Sequence, residues 1–320
     1  MQRMTTKPIQ FLFDAVYHGK YEFGDFLHVD VAANYESIPI KNEKRICSPN
    51  KKLKAYHSFL NTFLCEHLDI NSRVVYSYRK GVNAHHAVSA HAHSRAFFQT
   101  DIVNFFGSID RDMVRSTIIG RGSRIPIADL NVHLERILDL TTVDGTLPVG
   151  FSTSPLISNA CLTGFDDELE EHCKKTGLTY TRYADDIVLS AQSREALSDA
   201  GSTIREFLAH QFGERLQLNP SKSKLTTIGR KVKVLGMVIT PSGQVTVDME
   251  LKKRIEYLLH FYTRNREKFL AAVDQDMKAG VEQLSGYVNY INAADKPYLE
   301  KLRKKYGSTV IDSFLHRSAT

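Results

Sequence analysis

The sequence predicts an α+β protein built on a small antiparallel sheet, and three observations predict it. Residues 179–190, Thr-Tyr-Thr-Arg-Tyr-Ala-Asp-Asp-Ile-Val-Leu-Ser, set the acidic pair Asp185 and Asp186 between two β-prone runs, which reads as strand, tight turn, strand. A second β-prone run, beginning at Ala96, carries Asp101 and is followed by the aromatic pair Phe105-Phe106. Apolar residues recur at helical spacing over 51–68, over 196–212 and from Asp248 onward.

The elements follow in order. Phe11, Phe13, Val16 and Tyr17 suggest a short helix within 1–34. Residues 38–49 read as a strand pair around a polar turn, ended by Pro49. Leu53, Tyr56, Phe59, Leu60, Phe63 and Leu64 form the buried stripe of a helix over 51–68, a core stripe that needs no cofactor. Val74 to Gly81 alternates apolar and polar residues into a glycine. His85, His86, His91 and His93 crowd one short span, but no cysteine or paired carboxylate lies nearby in sequence, so helix-surface positions or RNA contacts are expected rather than a metal site. Residues 111–146 read as peripheral helix, with Val114, Ile118, Leu130, Leu134, Ile137 and Leu138 inward. A helix over 196–212 is closed by Gly213, 232–239 reads as a strand containing Gly236, and helices follow Asp248.

Composition narrows the function. At 320 residues, 42% hydrophobic and 24% charged, the chain is ordinary for a globular protein with a sizeable core. Cys47, Cys65, Cys161 and Cys173 are scattered with no Cys-x-x-Cys pair, which argues against a zinc knuckle or a disulfide framework. Free thiols in a reducing cytoplasm are expected, with no signal peptide and no membrane-spanning run. The net charge of +6 and pI near 9.0 suit a polyanionic partner. Residues 251–320 hold 13 Lys/Arg against 8 Asp/Glu, so +5 of the +6 lies in the last 70 residues.

Two adjacent carboxylates on a hairpin have one strong chemical use, which is to hold divalent cations for phosphoryl transfer. Hard ions such as Mg²⁺ take oxygen ligands, and a two-ion site needs carboxylates from more than one segment. Asp101 lies 84 positions before Asp185 on a separate β-prone run. The plain alternative is an Asp-Asp pair that only makes a polar turn. Tyr183-Ala-Asp-Asp186, the Asp101 run with its paired aromatic, and Leu147-Pro-Val-Gly-Phe-Ser-Thr-Ser-Pro155-Leu-Ile-Ser-Asn159 occur in an order that resembles the motifs of reverse transcriptases.

That resemblance implies a right-hand polymerase: an N-terminal region and fingers over 1–95, a palm over 96–230 whose antiparallel sheet carries the Tyr-Ala-Asp-Asp hairpin, and a primer-grip strand with a basic helical thumb over 231–320. It implies metal ligation of two Mg²⁺, with Mn²⁺ as a substitute, by Asp101, the Ile102 carbonyl, Asp185 and Asp186. Lys222 becomes a candidate proton donor to pyrophosphate. Lys44, Arg45, Phe106, Val149 and Gly150 become candidate nucleotide contacts, with Phe106 beneath the sugar excluding a 2′-hydroxyl. Arg79, Lys80, His91, Leu235, Gly236, Lys252, Lys253 and Arg254 become candidate nucleic-acid contacts, the thumb gripping a duplex through its phosphates. Val149 departs from the glutamine common in the family, which removes one side-chain contact near the nucleotide.

Within the family, the compact length without an endonuclease, maturase or RNase H region is similar to retron enzymes. So are Leu284-Ser-Gly-Tyr287 and the Lys-Leu-x-x-Lys-Tyr pattern at 301–306. This resemblance implies dNTPs, a cognate structured non-coding RNA, a DNA/RNA hybrid product, and an effector or toxin protein in a higher-order assembly for phage defence. Two departures bear on the choice of RNA: the Asn-Ala-x-x-His motif is replaced, in its best register, by Ala87-Val-Ser-Ala-His91, and Val-Thr-Gly by Val234-Leu235-Gly236. The alternatives are another defence-associated reverse transcriptase, or an RNA-bound scaffold that restrains an effector.

Overall fold

In the computed structural model, which describes residues 6–40, 45–229 and 231–316, the chain opens with helices α1 (Ile9–Tyr17) and α2 (Phe23–His28), strands β1 (Tyr35–Pro39) and β2 (Arg45–Pro49), and helix α3 (Lys51–Phe63). Helix α4 (Ala84–Ala90), strand β3 (Ala96–Asp101) and helices α5 (Arg111–Arg121), α6 (Leu130–Thr141), α7 (Ser154–Cys161) and α8 (Thr163–Thr176) follow. The acidic hairpin is β4 (Thr179–Tyr183) and β5 (Asp186–Ala191), after which come α9 (Ala200–Phe212), β6 (Lys224–Thr227), β7 (Val232–Val234), β8 (Met237–Ile239) and β9 (Val245–Val247). The chain closes with α10 (Met249–Arg264), α11 (Arg266–Ala272), α12 (Met277–Ala294), α13 (Lys296–Tyr306) and α14 (Ser308–His316). The central sheet has the order β4-β5-β3-β6.

Two compact units divide the chain. The first comprises 1–80, 98–189 and 198–224, the second 81–97, 190–197 and 225–320, so three of the five divisions fall inside β3, β5 and β6.

In the first unit the amphipathic stripe of α3 is buried as its spacing demands, through Leu53, Tyr56, Phe59 and Leu60, and the Asn50 side chain caps the helix by accepting from the Leu53 N–H. Phe13 of α1 meets Phe26, Phe59 and Tyr56 with ring centroids 5.2, 5.3 and 5.9 Å apart, an aromatic cluster in which each buried ring contributes about 1.5–3 kcal/mol. Arg136 of α6 donates to the carbonyls of Phe26 and Val29, satisfying the C-terminal end of α2. Strands β1 and β2 pair antiparallel from Tyr35↔Pro49 to Pro39↔Arg45, the predicted strand pair.

Beneath the acidic hairpin lies a buried ion pair. Arg182 of β4 and Asp166 of α8 are both 0% exposed, joined by Nη2–Oδ2 at 2.6 Å and Nε–Oδ1 at 2.8 Å, and the Tyr180 hydroxyl donates to the same carboxylate at 2.7 Å. Burial alone lowers the Arg182 pKa, but the Asp166 carboxylate outweighs it and holds the guanidinium charged.

The second unit is helical with one small sheet. Strands β7, β8 and β9 pair antiparallel, Val234↔Met237 closing the first hairpin and Met237↔Val247 opening the second. Helix α10 buries Ile255, Leu258 and Leu259; α12 buries Leu284, Val288 and Ile291; α13 buries Leu299 and Leu302. Asp276 and Asp295 cap α12 and α13.

Three local expectations change. Val74 to Gly81 forms no strand, because it makes only one parallel bridge, Val75↔Arg182, before turning at Tyr78 with φ +55°. The helix begun at Lys51 stops at Phe63 and tightens into a 3₁₀ turn over Cys65–His67. Residues 232–239 are not one strand but a hairpin, whose turn Leu235-Gly236 has φ of +47° and +78°, the signs a type I′ turn requires.

Removing one member of the buried pair strands the other charge in the core. Asp166→Ala is expected to lower stability by about 3–5 kcal/mol in urea denaturation; a loss below about 1 kcal/mol would show that the pair does not support the hairpin.

Candidate active site at the ends of the inner strands

β-propensity on either side of Ala184-Asp185 makes the hairpin, and its two-residue turn carries Asp185, while Asp186 is the first residue of β5. Strand β3 lies next to β5 and ends at Asp101. The Ile102 N–H donates to the Asp185 carbonyl at 3.2 Å, and the Asp101 carbonyl accepts from the Asn219 N–H at 2.8 Å. These bonds tie the end of β3 to the acidic turn on one side and to the segment entering β6 on the other.

Gln99, Thr100, Asp101, Asp186, Ser221, Lys222 and Lys224 line one cavity of about 330 Å³. Asp101 is buried, and Lys222 Nζ bonds its Oδ2 at 2.6 Å while most of the lysine side chain stays in solvent. That hydrogen bond, more than any other influence, raises the Lys222 pKa. Asp186 is pushed up to about 6, first by partial desolvation within the surrounding protein and then by the charges of Asp185 and Asp101. Burial and the two neighbouring carboxylates therefore both oppose its ionisation, burial the more strongly.

The donor set fits hard divalent cations: three carboxylates from two strands, with Asp101 Oδ1 buried and lacking a hydrogen-bond partner. Among the described residues no three such side chains are drawn together closely enough to enclose one ion, and at Asp101 the Lys222 ammonium supplies the neutralising charge.

The other predicted residues fall into three groups. Some lie just after β3 or along β2. Phe106 opens a 3₁₀ turn five residues after Asp101, half-buried, with its ring 5.3 Å from Phe105, which is core. Arg45 is exposed at the start of β2, and Lys44 lies outside the described residues. The Val149 carbonyl accepts from the Cys47 N–H at 2.8 Å, and Gly150 has φ +107°, where a Cβ would stand 2.4 Å from the Cys47 carbonyl oxygen. Only glycine allows that approach of loop to strand.

A second group is tied to the protein. Arg79 donates to the Ser72 and Val75 carbonyls at 2.8 and 2.5 Å, and Lys80 pairs with Glu66 at 3.1 Å while remaining 89% exposed. Arg254 donates to the Ala272 carbonyl at 2.9 Å. Lys253 is exposed, and Leu235 and Gly236 form the open turn between β7 and β8.

The third group is a correction. His91 is fully buried, with Nδ1 2.6 Å from the Ser190 hydroxyl and its pKa lowered to about 3 by burial, so its ring has no access to a nucleic acid. Lys252 pairs with buried Asp295 at 2.7 Å, donates to Thr246 at 2.6 Å and lies over the Tyr298 ring, an inward structural cation. Of the clustered histidines, His85 and His86 stand edge to face with ring centroids 6.2 Å apart; His86 completes the Asn83 capping box, and His85 faces Ser89.

Sequence reasoning missed Ser77, Asp166, Arg182 and Lys224. Arg182 carried a signal, since a charged residue inside an apolar strand needs a buried partner. Asp166 was masked by the acidic run around it.

An antiparallel sheet that presents carboxylates at the ends of its two inner strands, with a glycine-gated loop against a neighbouring strand pair, defines the palm of a right-hand nucleic-acid polymerase. The chain belongs to the reverse transcriptase (RNA-dependent DNA polymerase) family, whose model matches residues 36–239, and it is an RNA-directed DNA polymerase. It is similar to the retron Ec83 reverse transcriptase of Escherichia coli, 27% identical over 274 residues covering 84% of each chain. It is also similar to the retron Ec73 and Ec86 reverse transcriptases of the same organism. The Ec73 enzyme is 24% identical over 82% of this chain and 83% of that protein. For the Ec86 enzyme the identity is 25%, over 86% and 81%. Among solved structures, apo telomerase from Candida tropicalis aligns with TM-score 0.46 and 11% identity over 84% of this chain and 58% of that one, too distant to bear on mechanism. The family uses divalent metal ions. Among the described residues no helix is long and apolar enough to cross a membrane.

Asp186 yields a pH test. Its folded pKa of about 6 lies above its ordinary 3.8, so its charged form is the destabilised one. That destabilisation is absent below about pH 4 and complete above about pH 6. Asp186→Asn is therefore expected to raise the melting temperature of the metal-free protein at about pH 8 and to leave it unchanged near pH 4. Equal shifts at both values would refute the charge crowding.

Proposed function

We propose that this protein is a retron-type reverse transcriptase that copies part of a cognate structured non-coding RNA into DNA, acting with an effector in phage defence in the cytoplasm. The observation that carries the catalytic part is the convergence of Asp101, Asp186 and Lys222 on one cavity beside the Asp185 turn. The similarity to retron reverse transcriptases over most of their length supports the choice of subgroup. In this reading 1–95 form the N-terminal region and fingers, 96–230 the palm, and 231–320 the primer grip and thumb.

Asp101, Asp185 and Asp186, with the Ile102 carbonyl, would hold two Mg²⁺. Bound there, the ions supply activation of the primer hydroxyl and neutralisation of charge on the triphosphate and the departing pyrophosphate. Lys222, which bonds Asp101 Oδ2 here, would be the group placed to give a proton to the leaving pyrophosphate. Phe106 excludes a 2′-hydroxyl by bulk. Arg45 and the Val149-Gly150 loop border the nucleotide, while Arg79, Lys80, Lys253 and the Leu235-Gly236 turn contact nucleic acid.

Asp185→Ala is expected to abolish DNA synthesis on a primed RNA template while RNA binding is retained; continued synthesis would remove Asp185 from the centre. Phe106→Ala is expected to admit ribonucleotides, read as a rise of about tenfold or more in rNTP relative to dNTP incorporation, and unchanged discrimination would place the steric gate elsewhere. Purification from the native locus tests the subgroup. A discrete single-stranded DNA joined to RNA, present with the active protein and missing with Asp185→Ala, supports the retron reading; unbranched or repetitive DNA supports another defence class.

A further inference from the structure

The acidic turn has an unfavourable backbone. Ala184 sits at φ +58°, a left-handed conformation that costs an alanine about 1–2 kcal/mol, so the turn keeps this shape only where its surroundings hold it. Both peptide groups of Ala184 are held. Its carbonyl accepts from Arg182 Nη1 at 3.0 Å, and its N–H donates to the Ser77 hydroxyl at 2.8 Å.

We propose that Ser77 is a positioning residue for the catalytic turn: its hydroxyl, oriented by Asn159, fixes the Ala184 peptide and through it the direction of the Asp185 carboxylate. The inference rests on the reading of Asp185 as a metal ligand.

The hydrogen-bond directions are forced. Asn159 Nδ2 donates to the Ser77 carbonyl at 2.9 Å, which turns Asn159 Oδ1 toward Ser77 Oγ at 3.1 Å and toward Arg182 Nη1 at 3.2 Å. An amide oxygen only accepts, so the single proton of Ser77 goes to Asn159 and a lone pair is left facing the Ala184 N–H. Ser77 and Asn159 are both buried. The segment bearing Ser77 is registered against β4 by two backbone bonds, Arg182 N–H to the Val74 carbonyl at 2.8 Å and Tyr76 N–H to the Arg182 carbonyl at 3.0 Å. Without the hydroxyl, the Ala184 N–H is a buried donor with nothing to bond. Of the two bonds that hold Ala184 in its left-handed conformation, only the one from Arg182 Nη1 to its carbonyl then remains, and the direction of the neighbouring carboxylate loosens. Arg182 holds the carbonyl side of the turn and Ser77 its N–H side.

The test compares wild type, Ser77→Ala, Asp185→Ala and a control, Thr141→Val, which removes a buried hydroxyl from α6, where it bonds the Ile137 carbonyl. Ser77→Ala is expected to lower kcat about tenfold or more, as sub-ångström misplacement of a reacting constellation does, with the dNTP KM and the primer–template Kd kept within about twofold. Mn²⁺ binding to the protein alone, followed by electron paramagnetic resonance, is expected to weaken. Hydrogen exchange at the Ala184 amide is expected to be slow in wild type and about tenfold or more faster in Ser77→Ala. The control is expected to lose stability without these changes. Unchanged kcat and Mn²⁺ affinity in Ser77→Ala, or an equal fall in Thr141→Val, overturns the proposal. Rapid Ala184 exchange in wild type, a measurement that needs no variant to fold, overturns it too. If Asp185→Ala is inactive while Ser77→Ala behaves as wild type, only this inference fails; if Asp185→Ala stays active, the metal reading itself fails.

Discussion

The first unit depends on a charge that has no business in a core unless it is fully paired. Arg182 and Asp166 are both wholly buried, and removing two such groups from water costs several kcal/mol each before their attraction is counted. The pair survives because almost every donor is used: Nε and Nη2 on Asp166, Nη1 on Asn159 Oδ1 and the Ala184 carbonyl, Nη2 also on the Asn159 carbonyl. A hydrophobic pair of the same volume would pack as well, yet it would leave the Ala184 carbonyl without this donor. What the ion pair adds is direction. It links helix α7, helix α8 and the acidic hairpin at one point, and rotation of the hairpin breaks several charge-assisted bonds together.

That rigidity serves a site that repels itself. Asp101, Asp185 and Asp186 gather negative charge at the ends of β3 and β5, which adds to partial burial in raising the Asp186 pKa, and Lys222 lies on Asp101. That contact is reversible, since the lysine is mostly exposed and can swing away. A site stabilised irreversibly, by a buried arginine on Asp101 for example, would be a worse receptor for cations. The contrast with Arg182 is instructive: the permanent ion pair lies under the turn, and the exchangeable one lies at the cavity.

Much of this was legible in the sequence, for physical reasons. The hairpin, the helix from Lys51 and the helices after Asp248 announce themselves through periodicity, which burial enforces residue by residue. The carboxylates announce themselves because adjacent acids between apolar strands have few other uses. Val74 to Gly81 misled because alternation signals a strand only where a partner strand is available, and here one bridge is all the chain makes. Ser77 was invisible: a lone serine has no periodicity, and its meaning comes from Asn159 and Ala184, 82 and 107 positions away. His91 misled in the opposite direction, since four histidines together look like a surface feature until one is found at the bottom of a packed helix.

The same limit governs the basic C-terminal region. A net excess of lysine and arginine was evident by counting, and the run Lys252-Lys253-Arg254 looked like its focus. Helical geometry separates three consecutive residues by about 100° each, so they cannot share one face. Lys252 turns inward to Asp295, Arg254 binds the Ala272 carbonyl, and Lys253 faces solvent. One of the three is left for a phosphate. Charge counted along a chain therefore overstates the charge a partner meets, and the footprint on a nucleic acid has to be assembled from residues several turns apart, whose cations the fold has not already used.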